Sequence, residues 1–152
     1  MAEMLEISPE LLVKIQNNGE KAYPEEGAGF LLGVDGDTRR VLSILPLPNS
    51  RETEARHNRF ILTPEDYMTA EKKADALKLT LLGVFHSHPD HPNQPSDYDR
   101  DWAQPFFSYV ITSIQNGQAI SSRSWRLLED RSAFAEEPVR IGISVKKEKK
   151  CR

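Results

Sequence analysis

Two histidines separated by one residue are the first feature of the sequence that could do chemistry. His86 and His88 follow directly on an apolar run, LTLLGVF at 79–85. Side chains two apart on a β-strand point to the same face, so both imidazoles would face the same side. Zinc favours imidazole nitrogen, and a catalytic zinc site has three protein ligands and one open position. The pair predicts part of a metal site, although His-x-His alone is a weak signal.

Asp99 is the candidate for the third ligand. It falls in the first turn of a short helix predicted from Asp97 to Ala103, and three prolines in the intervening loop restrict the chain so that it can turn back toward the histidines. The alternative is that Asp99 and Ser96 only cap the amides of that helix. Spacing alone leaves both open.

A longer pattern appears when the whole segment is taken together. GVFHSHPDHPNQPSDYD at 83–99 contains His-x-His-Pro, six residues, and then Ser-x-x-Asp, and YPEEGAGFLLG at 23–33 precedes it. These segments resemble the JAMM, or MPN-plus, metalloprotease motif, in which a glutamate lies upstream of a glycine-containing apolar run. SYVITSI at 108–114 and SWRLLEDRSAF at 124–134 are similar to bacterial members of that family.

The resemblance implies a role for each matching residue. His86, His88 and Asp99 would bind one Zn²⁺ per chain, and Glu26 would take a proton from the catalytic water and pass it to the leaving amine. Ser96 would donate a hydrogen bond to the developing oxyanion, and simple capping of the helix remains its alternative role.

Other titratable residues near these positions lack the motif offsets. Glu25 adjoins Glu26, and strand alternation would point the two side chains to opposite faces, so Glu26 is chosen for its offset of three from Gly29. The remaining residues are predicted to be solvated, namely His57, Asp90, His91, Asp97 and Asp101. Trp102 and Trp125 are predicted to be core or edge anchors.

The elements that must position these residues follow from periodicity. Helices are predicted from Pro9 to about Asn18, capped by Ser8, and over about 15 residues from Pro64, capped by Thr63. Strands are predicted at Ala28–Val34, Arg40–Leu47, Leu79–Phe85, Phe107–Ile114 and Ala119–Leu128. The polar segment 48–59 is predicted to be a mobile surface loop near a binding face.

Composition limits the function classes. A chain of 152 residues suits one domain, predicted over 1–143 with a basic, disordered tail at 144–152. The single cysteine, Cys151, excludes an intrachain disulfide and an all-cysteine zinc site. A net charge of -3 argues against a nucleic-acid surface, and no apolar run is long enough to span a membrane. The start lacks the pattern of a secretory signal, so a cytoplasmic location is expected.

The resemblance also implies a fold and a substrate. The fold would be α/β, a single mixed, curled β-sheet flanked by helices, with an architecture like that of cytidine deaminases. The reaction would be zinc-dependent hydrolysis of a peptide or isopeptide bond after the C-terminal Gly-Gly of a ubiquitin-like sulfur-carrier protein, releasing an amino acid such as cysteine or maturing the carrier. Ubiquitin itself is not expected, because the domain has no long insertions.

Three other readings differ in kind. A peptidase for other small peptides or amides could use the same site, and a non-catalytic MPN scaffold would only bind partners. A zinc nucleotide deaminase is excluded, because its Pro-Cys-x-x-Cys signature needs two cysteines. Oligomeric state is left open, a homodimer included.

Overall fold

The structure is a computed structural model that describes residues 4–48, 53–54, 59–60 and 62–142, with only the backbone at 53–54 and 59–60. These residues form three helices, α1 (Pro9–Ala22), α2 (Pro64–Leu77) and α3 (Asp97–Trp102). They also form ten strands: β1 (Met4–Ile7), β2 (Ala28–Val34), β3 (Thr38–Pro46), β4 (Thr53–Glu54), β5 (Arg59–Phe60), β6 (Thr80–Pro89), β7 (Ser108–Gln115), β8 (Gln118–Leu127), β9 (Phe134–Glu137) and β10 (Val139–Ile141).

Eight of the strands form one mixed sheet in the order β10-β1-β3-β2-β6-β7-β8-β9. The strand β6 lies inside this sheet, antiparallel to β2 and parallel to β7. Its central residues are buried, as expected for a strand covered on both faces. The sheet is curled and nearly closed, which confirms the predicted α/β fold.

Helices cover the two faces of the sheet and define two apolar cores. On one face α1 contributes Ile15 to a cluster with Leu31, Leu82 and Phe85. On the other face Ala70 and Ala74 of α2 pack into a larger cluster with residues of β2, β6 and β7, among them Phe30, Val84 and Tyr109. Val84 and Phe85, which are neighbours on β6, therefore enter different cores. The same alternation, continued along the strand, places His86 and His88 on one face and Ser87 on the other.

Capping residues begin the helices where the sequence predicts. Ser8 accepts a hydrogen bond from the Leu11 amide, and Thr63 forms a reciprocal capping box with Asp66. The helix α1 continues to Ala22, beyond its predicted end near Asn18. Gly19 lies inside the helix and does not end it. Its role is to let α1 approach β6, since a Cβ there would lie 2.9 Å from the Cβ of Ser87.

Some predicted boundaries are wrong. The strand β6 does not end at Phe85 but continues through both histidines to Pro89. Within the segment predicted as a loop, β4 and β5 pair antiparallel. The short strands β1, β9 and β10 were not predicted; β9 and β10 form the two edges of the sheet, and β1 lies next to β10.

The predicted tail 144–152, with Cys151, and His57 lie outside the described residues. In the part of the chain that the structure describes, no helix has the length and apolar composition needed to cross a bilayer.

Candidate metal centre and active site

The histidine pair lies on the last part of β6. Because the strand extends through Pro89, His86 and His88 share one face of it, as their spacing predicts. Their ring centroids are 5.1 Å apart. Only 11% of the His86 side chain and 9% of the His88 side chain is exposed. The structure therefore presents two nearly buried imidazoles side by side.

A backbone carbonyl orients the His88 ring. Its Nδ1 lies 2.8 Å from the carbonyl oxygen of Pro92, an atom that can only accept a hydrogen bond. In the neutral ring, Nδ1 therefore carries the proton and Nε2 presents its lone pair. Such a second hydrogen bond is the usual way in which a metal-binding histidine is held in the required tautomer.

Asp99 reaches both histidines while it caps α3. Its Oδ1 lies 3.5 Å from His86 Nε2, and its Oδ2 lies 3.2 Å from His88 Nε2. The Ser96 amide donates to Asp99 Oδ2 at 2.8 Å, and the Asp99 amide donates to Ser96 Oγ at 3.1 Å. Capping and approach to the histidines, which the sequence leaves as alternatives, occur together: the capping box aims the carboxylate.

Glu26 joins the same cluster from the segment between α1 and β2. Its carboxylate and one nitrogen from each of His86 and His88 lie within 4.8 Å of one another. The neighbouring Glu25 is exposed. Both glutamates precede β2, so strand alternation does not separate them, and the preference for Glu26 rested on the motif offset alone.

Ser87, between the histidines, anchors the Glu26 segment from behind. Its Oγ accepts a hydrogen bond from the Gly27 amide at 2.8 Å, and its own amide donates to the Gly27 carbonyl at 3.0 Å. Ser87 is 2% exposed. A Cβ on Gly27 would lie 2.3 Å from Oδ1 of Asn18 and 3.0 Å from the Asn18 carbonyl oxygen, so a larger residue there would displace the Asn18 side chain and press on α1. No motif in the sequence marks Ser87, and only alternation along β6 indicates that its side chain points away from the histidines.

Electrostatics favour an ionised Asp99 and a charged His88 in the metal-free protein. Burial acts to raise the pKa of Asp99, but the charge of His86 and hydrogen bonds from His88 and the Ser96 amide outweigh it, and the pKa falls well below its usual range. Burial likewise acts to lower the pKa of His88, and Asp99, the Pro92 carbonyl and Glu26 together raise it. The carboxylates therefore stabilise positive charge at this point.

The cluster fits a divalent metal. Two imidazoles and a carboxylate are a common catalytic zinc ligand set, and ligand atoms of a tetrahedral zinc site stand roughly 3.3–3.4 Å apart. The distances of 3.5 and 3.2 Å from Asp99 to the two Nε2 atoms lie close to that spacing. Among the described residues, Glu26, His86 and His88 form a group whose ligand atoms could hold a metal, and Asp99 is a second carboxylate at 3.5 and 3.2 Å from the two Nε2 atoms.

Ser96 is placed differently from the other predicted site residues. Its hydroxyl accepts from the Asp99 amide, and its side chain borders a second depression, together with Trp125 and Phe134. It does not line the cavity into which Glu26, His86 and Asp99 open.

The other charged candidates lie outside the cluster. Asp90 accepts from the Tyr23 hydroxyl at 2.6 Å and from the Asn116 amide at 2.9 Å, so it ties loops together. The side chain of Asp97 is 95% exposed. The other two are also exposed, as the sequence predicts: His91 and Asp101.

A cavity of about 370 Å³ opens beside the cluster. Besides Glu26, His86 and Asp99, its walls come from β2, β6, β7, both ends of α3 and the start of α2, and they are mostly apolar or aromatic: Ala28, Leu62, Pro64, Tyr67, Val84, Tyr98, Trp102, Ala103, Gln104 and Tyr109. This is the combination of apolar walls and a few polar groups that characterises small-molecule and substrate sites.

The two tryptophans differ from each other. Trp125 donates its indole N–H to the Asn93 carbonyl at 3.0 Å, as an edge anchor should. The prediction for Trp102 is wrong, because this side chain is 67% exposed at the rim of the cavity. The sequence does not predict that Trp102 is exposed, because the residues around it in α3 show no apolar periodicity that would indicate which face of the helix is buried.

Comparison with known protein families yields one match that covers most of the chain. A family described as "Prokaryotic homologs of the JAB domain" matches residues 8–128. That range contains Glu26, His86, His88, Ser96 and Asp99.

The curated proteins that are similar to this chain include two named peptidases or proteases. One is named "Probable TtuB-protein conjugate cleaving protease", from Thermus thermophilus, and is 33% identical over 88 residues, which cover 58% of this chain and 55% of that protein. The chain thus matches only about half the length of the Thermus protein. The "CysO-cysteine peptidase" of Mycobacterium tuberculosis is 25% identical over 139 residues, 91% of each chain. These similarities give no support to the homodimer.

A solved structure is also similar. The solution structure of a protein from Salinibacter ruber is 39% identical, covers 90% of this chain and 91% of its own, and superposes with a TM-score of 0.71.

Proposed function

Because the chain belongs to the prokaryotic JAB-domain family, we propose that it is a zinc-dependent peptidase that hydrolyses the amide bond after the C-terminal Gly-Gly of a ubiquitin-like sulfur-carrier protein. The observation that carries this proposal is the cluster itself, in which Asp99 lies within 3.5 Å of both histidine Nε2 atoms and Glu26 stands beside them.

His86, His88 and Asp99 hold the metal. The Pro92 carbonyl fixes the tautomer of His88, and the capping box fixes the Asp99 carboxylate, so these ligands are arranged before the ion arrives. When bound, zinc supplies Lewis acidity, which polarises a carbonyl and lowers the pKa of water to about 7.

Glu26 handles protons. Glu26 lines the cavity and lies beside the histidines, where its carboxylate accepts a proton from the attacking water and delivers it to the leaving nitrogen. The Glu26 segment is held by the paired hydrogen bonds between Gly27 and Ser87, so the base keeps its distance from the histidines.

Ser96 donates a hydrogen bond to the developing oxyanion. Its hydroxyl oxygen accepts from the Asp99 amide, and the hydroxyl proton is still available for donation. Ser96 lines a different depression from the one that Glu26 and Asp99 line, so its oxyanion role is tested separately from theirs. If the Ser96→Ala variant keeps its zinc and its turnover is unchanged, the role of Ser96 is limited to capping α3.

The substrate class rests on the relatives. One is named a probable TtuB-protein conjugate cleaving protease, and another is named a CysO-cysteine peptidase. A Gly-Gly tail has no side chains and could enter a narrow approach to the cluster in an extended form, bound through its backbone.

The direct test uses the zinc-loaded chain and the sulfur-carrier proteins of its own genome, each extended by one or more residues beyond Gly-Gly. Mass spectrometry should show products that end at Gly-Gly. Cleavage of unrelated peptides with every carrier left intact would favour a general small-peptide hydrolase, and binding of carriers without cleavage of any substrate would favour a scaffold.

A further inference from the structure

The cavity beside the metal cluster is apolar at its inner end. Val84 and Ala28 are 2% exposed, Ala103 is 1% exposed, and the Tyr109 ring is 7% exposed. The Tyr109 hydroxyl accepts the Gln104 amide at 2.6 Å, so its polar end is already engaged. Apart from Glu26, His86 and Asp99, a group bound in the cavity therefore contacts mainly apolar and aromatic side chains.

The size of the cavity exceeds the needs of a small residue. Its volume is about 370 Å³, whereas an apolar cavity of about 150 Å³ is enough to take up benzene. A glycine places nothing in such a space, and a cysteine side chain, smaller than benzene, fills little of it. An aromatic or branched aliphatic side chain would fill much more.

The lining of the cavity offers no positively charged side chain to an acidic group. Its ionisable members are Glu26, Asp99, His86 and three tyrosines, and the lining includes no lysine or arginine. Burial raises the pKa of Tyr67 and of Tyr109, which keeps both hydroxyls neutral. Away from the metal ligands and Glu26 the walls are apolar or aromatic and provide no cation to pair with an anionic side chain, so the lining favours a neutral, apolar occupant.

The position of the cavity indicates which part of the substrate fills it. It is continuous with the catalytic cluster, so its occupant is next to the scissile bond. On the acyl side of that bond the proposed substrate has Gly-Gly, which offers no side chain. The nearest side chain therefore belongs to the residue on the leaving side.

We infer that this cavity binds the side chain of the residue released, and that this residue is large and apolar. The inference rests on the proposed hydrolysis after Gly-Gly. Trp102 and Tyr98 of α3 form the outer wall, with ring centroids 6.2 Å apart. Tryptophan is enriched among the residues that contribute strongly to binding, and a bound side chain would cover part of the 67% of Trp102 that is exposed.

The test measures both turnover and binding on the zinc-loaded chain. Acetylated peptides ending in Gly-Gly-Xaa, with Xaa as glycine, cysteine, leucine or phenylalanine, are compared by kcat/KM. The expected preference for leucine and phenylalanine over glycine is roughly ten- to a hundredfold, with cysteine between them. In parallel, N-acetyl-phenylalaninamide and N-acetyl-glycinamide are titrated by calorimetry, and only the former should bind measurably.

Two variants locate the preference. Trp102→Ala should reduce the ratio of kcat/KM for phenylalanine over glycine by roughly fivefold or more. Ile120→Ala is the matched control, because Ile120 is a comparably exposed apolar residue, 61% exposed, on β8. It should leave that ratio unchanged.

The outcomes separate this inference from the proposed function. Cleavage after Gly-Gly with equal rates for all four residues, and equal binding of the two amides, would overturn the inference and leave the hydrolase intact. Selective binding of the phenylalanine amide without cleavage of any peptide would support the pocket and contradict the hydrolase. An apolar preference that Trp102→Ala leaves unchanged would contradict the assignment to this cavity.

Discussion

At the scale of residues, the site contains two carboxylates near one pair of imidazoles, and their surroundings differ. Asp99 is held by a backbone hydrogen bond from Ser96 and has a pKa well below its usual range, because the histidine charges and the hydrogen bonds outweigh burial. Both carboxylates line the cavity, but the capping box of α3 fixes Asp99, whereas Glu26 comes from the segment between α1 and β2. A carboxylate fixed in its ionised form suits a metal ligand, and a second carboxylate beside the cluster suits a proton carrier.

This difference predicts opposite effects of two conservative substitutions. Asp99→Asn should lower zinc affinity by about a hundredfold or more, because it removes the anionic ligand. Glu26→Gln should keep one zinc per chain and lose about a thousandfold in kcat. Metal content after dialysis and turnover of the same samples measure both. Loss of zinc in Glu26→Gln with retention in Asp99→Asn would exchange the two roles.

The raised pKa of His88 predicts pH-dependent metal uptake. Although burial lowers it, the stronger effect of Asp99 and Pro92 raises it above the ordinary value of about 6.5, so His88 keeps its proton to a higher pH in the metal-free protein. Zinc must displace that proton. Affinity should therefore fall as pH decreases through this region, roughly tenfold per unit for each proton displaced. Competition with a chelator across the pH range measures it, and a constant affinity would contradict the account.

At the scale of elements, β6 performs a different task on each face. Its α2-side face carries His86 and His88, and its α1-side face carries Ser87, which binds the segment that presents Glu26. Gly19 of α1 and Gly27 allow helix, strand and turn to approach closely. The distance between the metal ligands and the base is thus set by one strand and the helix behind it.

Ser87→Ala tests this arrangement. The Gly27 amide would lose its buried acceptor, at a cost of about 1–3 kcal/mol in the free energy of unfolding. Zinc content should be unchanged, and kcat should fall by roughly ten- to a hundredfold with little change in KM, since Glu26 loses its position. Ser122→Ala is the control, because its hydroxyl contacts Gln16 and Thr112 on the same side of the sheet. An equal loss of kcat in both variants would contradict the positioning role of Ser87 and leave it with a purely structural one.

At the scale of the whole molecule, local signals predicted the centre of the fold and missed its margins. The sequence predicts the three helix N-caps, the two helices that begin with proline, and the apolar runs of β2 and β6. Each of these features depends only on residues that are neighbours in the sequence. The strands β9 and β10 are short, lie at the sheet edges and depend on partners distant in the chain. The pairing of Met4 with Thr38 in β1 and β3 is likewise non-local.

The candidate site shows the same division. Glu26, His86, His88 and Asp99 were predicted because their types and offsets match a motif, and the structure brings all four together. The cavity could not be predicted, because its walls come from β2, β6, β7, α2 and α3 and share no local pattern.

Arg39 connects distant parts of the sheet and gives a test at this scale. Only 2% exposed, it donates to Asp35, to the Leu82 carbonyl and to Ser108 Oγ, and so joins β3 to β6 and β7. Arg39→Met should destabilise the fold by about 2–4 kcal/mol, since it leaves buried acceptors without donors.

Arg40→Met is the matched control for Arg39→Met. Arg40 is the next residue of β3, its side chain is 59% exposed, and it should change stability by no more than about 0.5 kcal/mol. Denaturant unfolding measures both variants. Equal stabilities would mean that the Arg39 contacts contribute nothing to the fold.

The central claim is the division of labour between Glu26 and Asp99 around one zinc ion, and a crystal structure of the zinc-loaded chain with anomalous scattering at the zinc edge tests it most directly. The predicted result is a single ion bound by Nε2 of His86, Nε2 of His88 and the Asp99 carboxylate, with Glu26 beside the open position and not bound to the ion. An ion bound through Glu26 in place of Asp99, or no ion at the histidines under zinc-replete conditions, would contradict it.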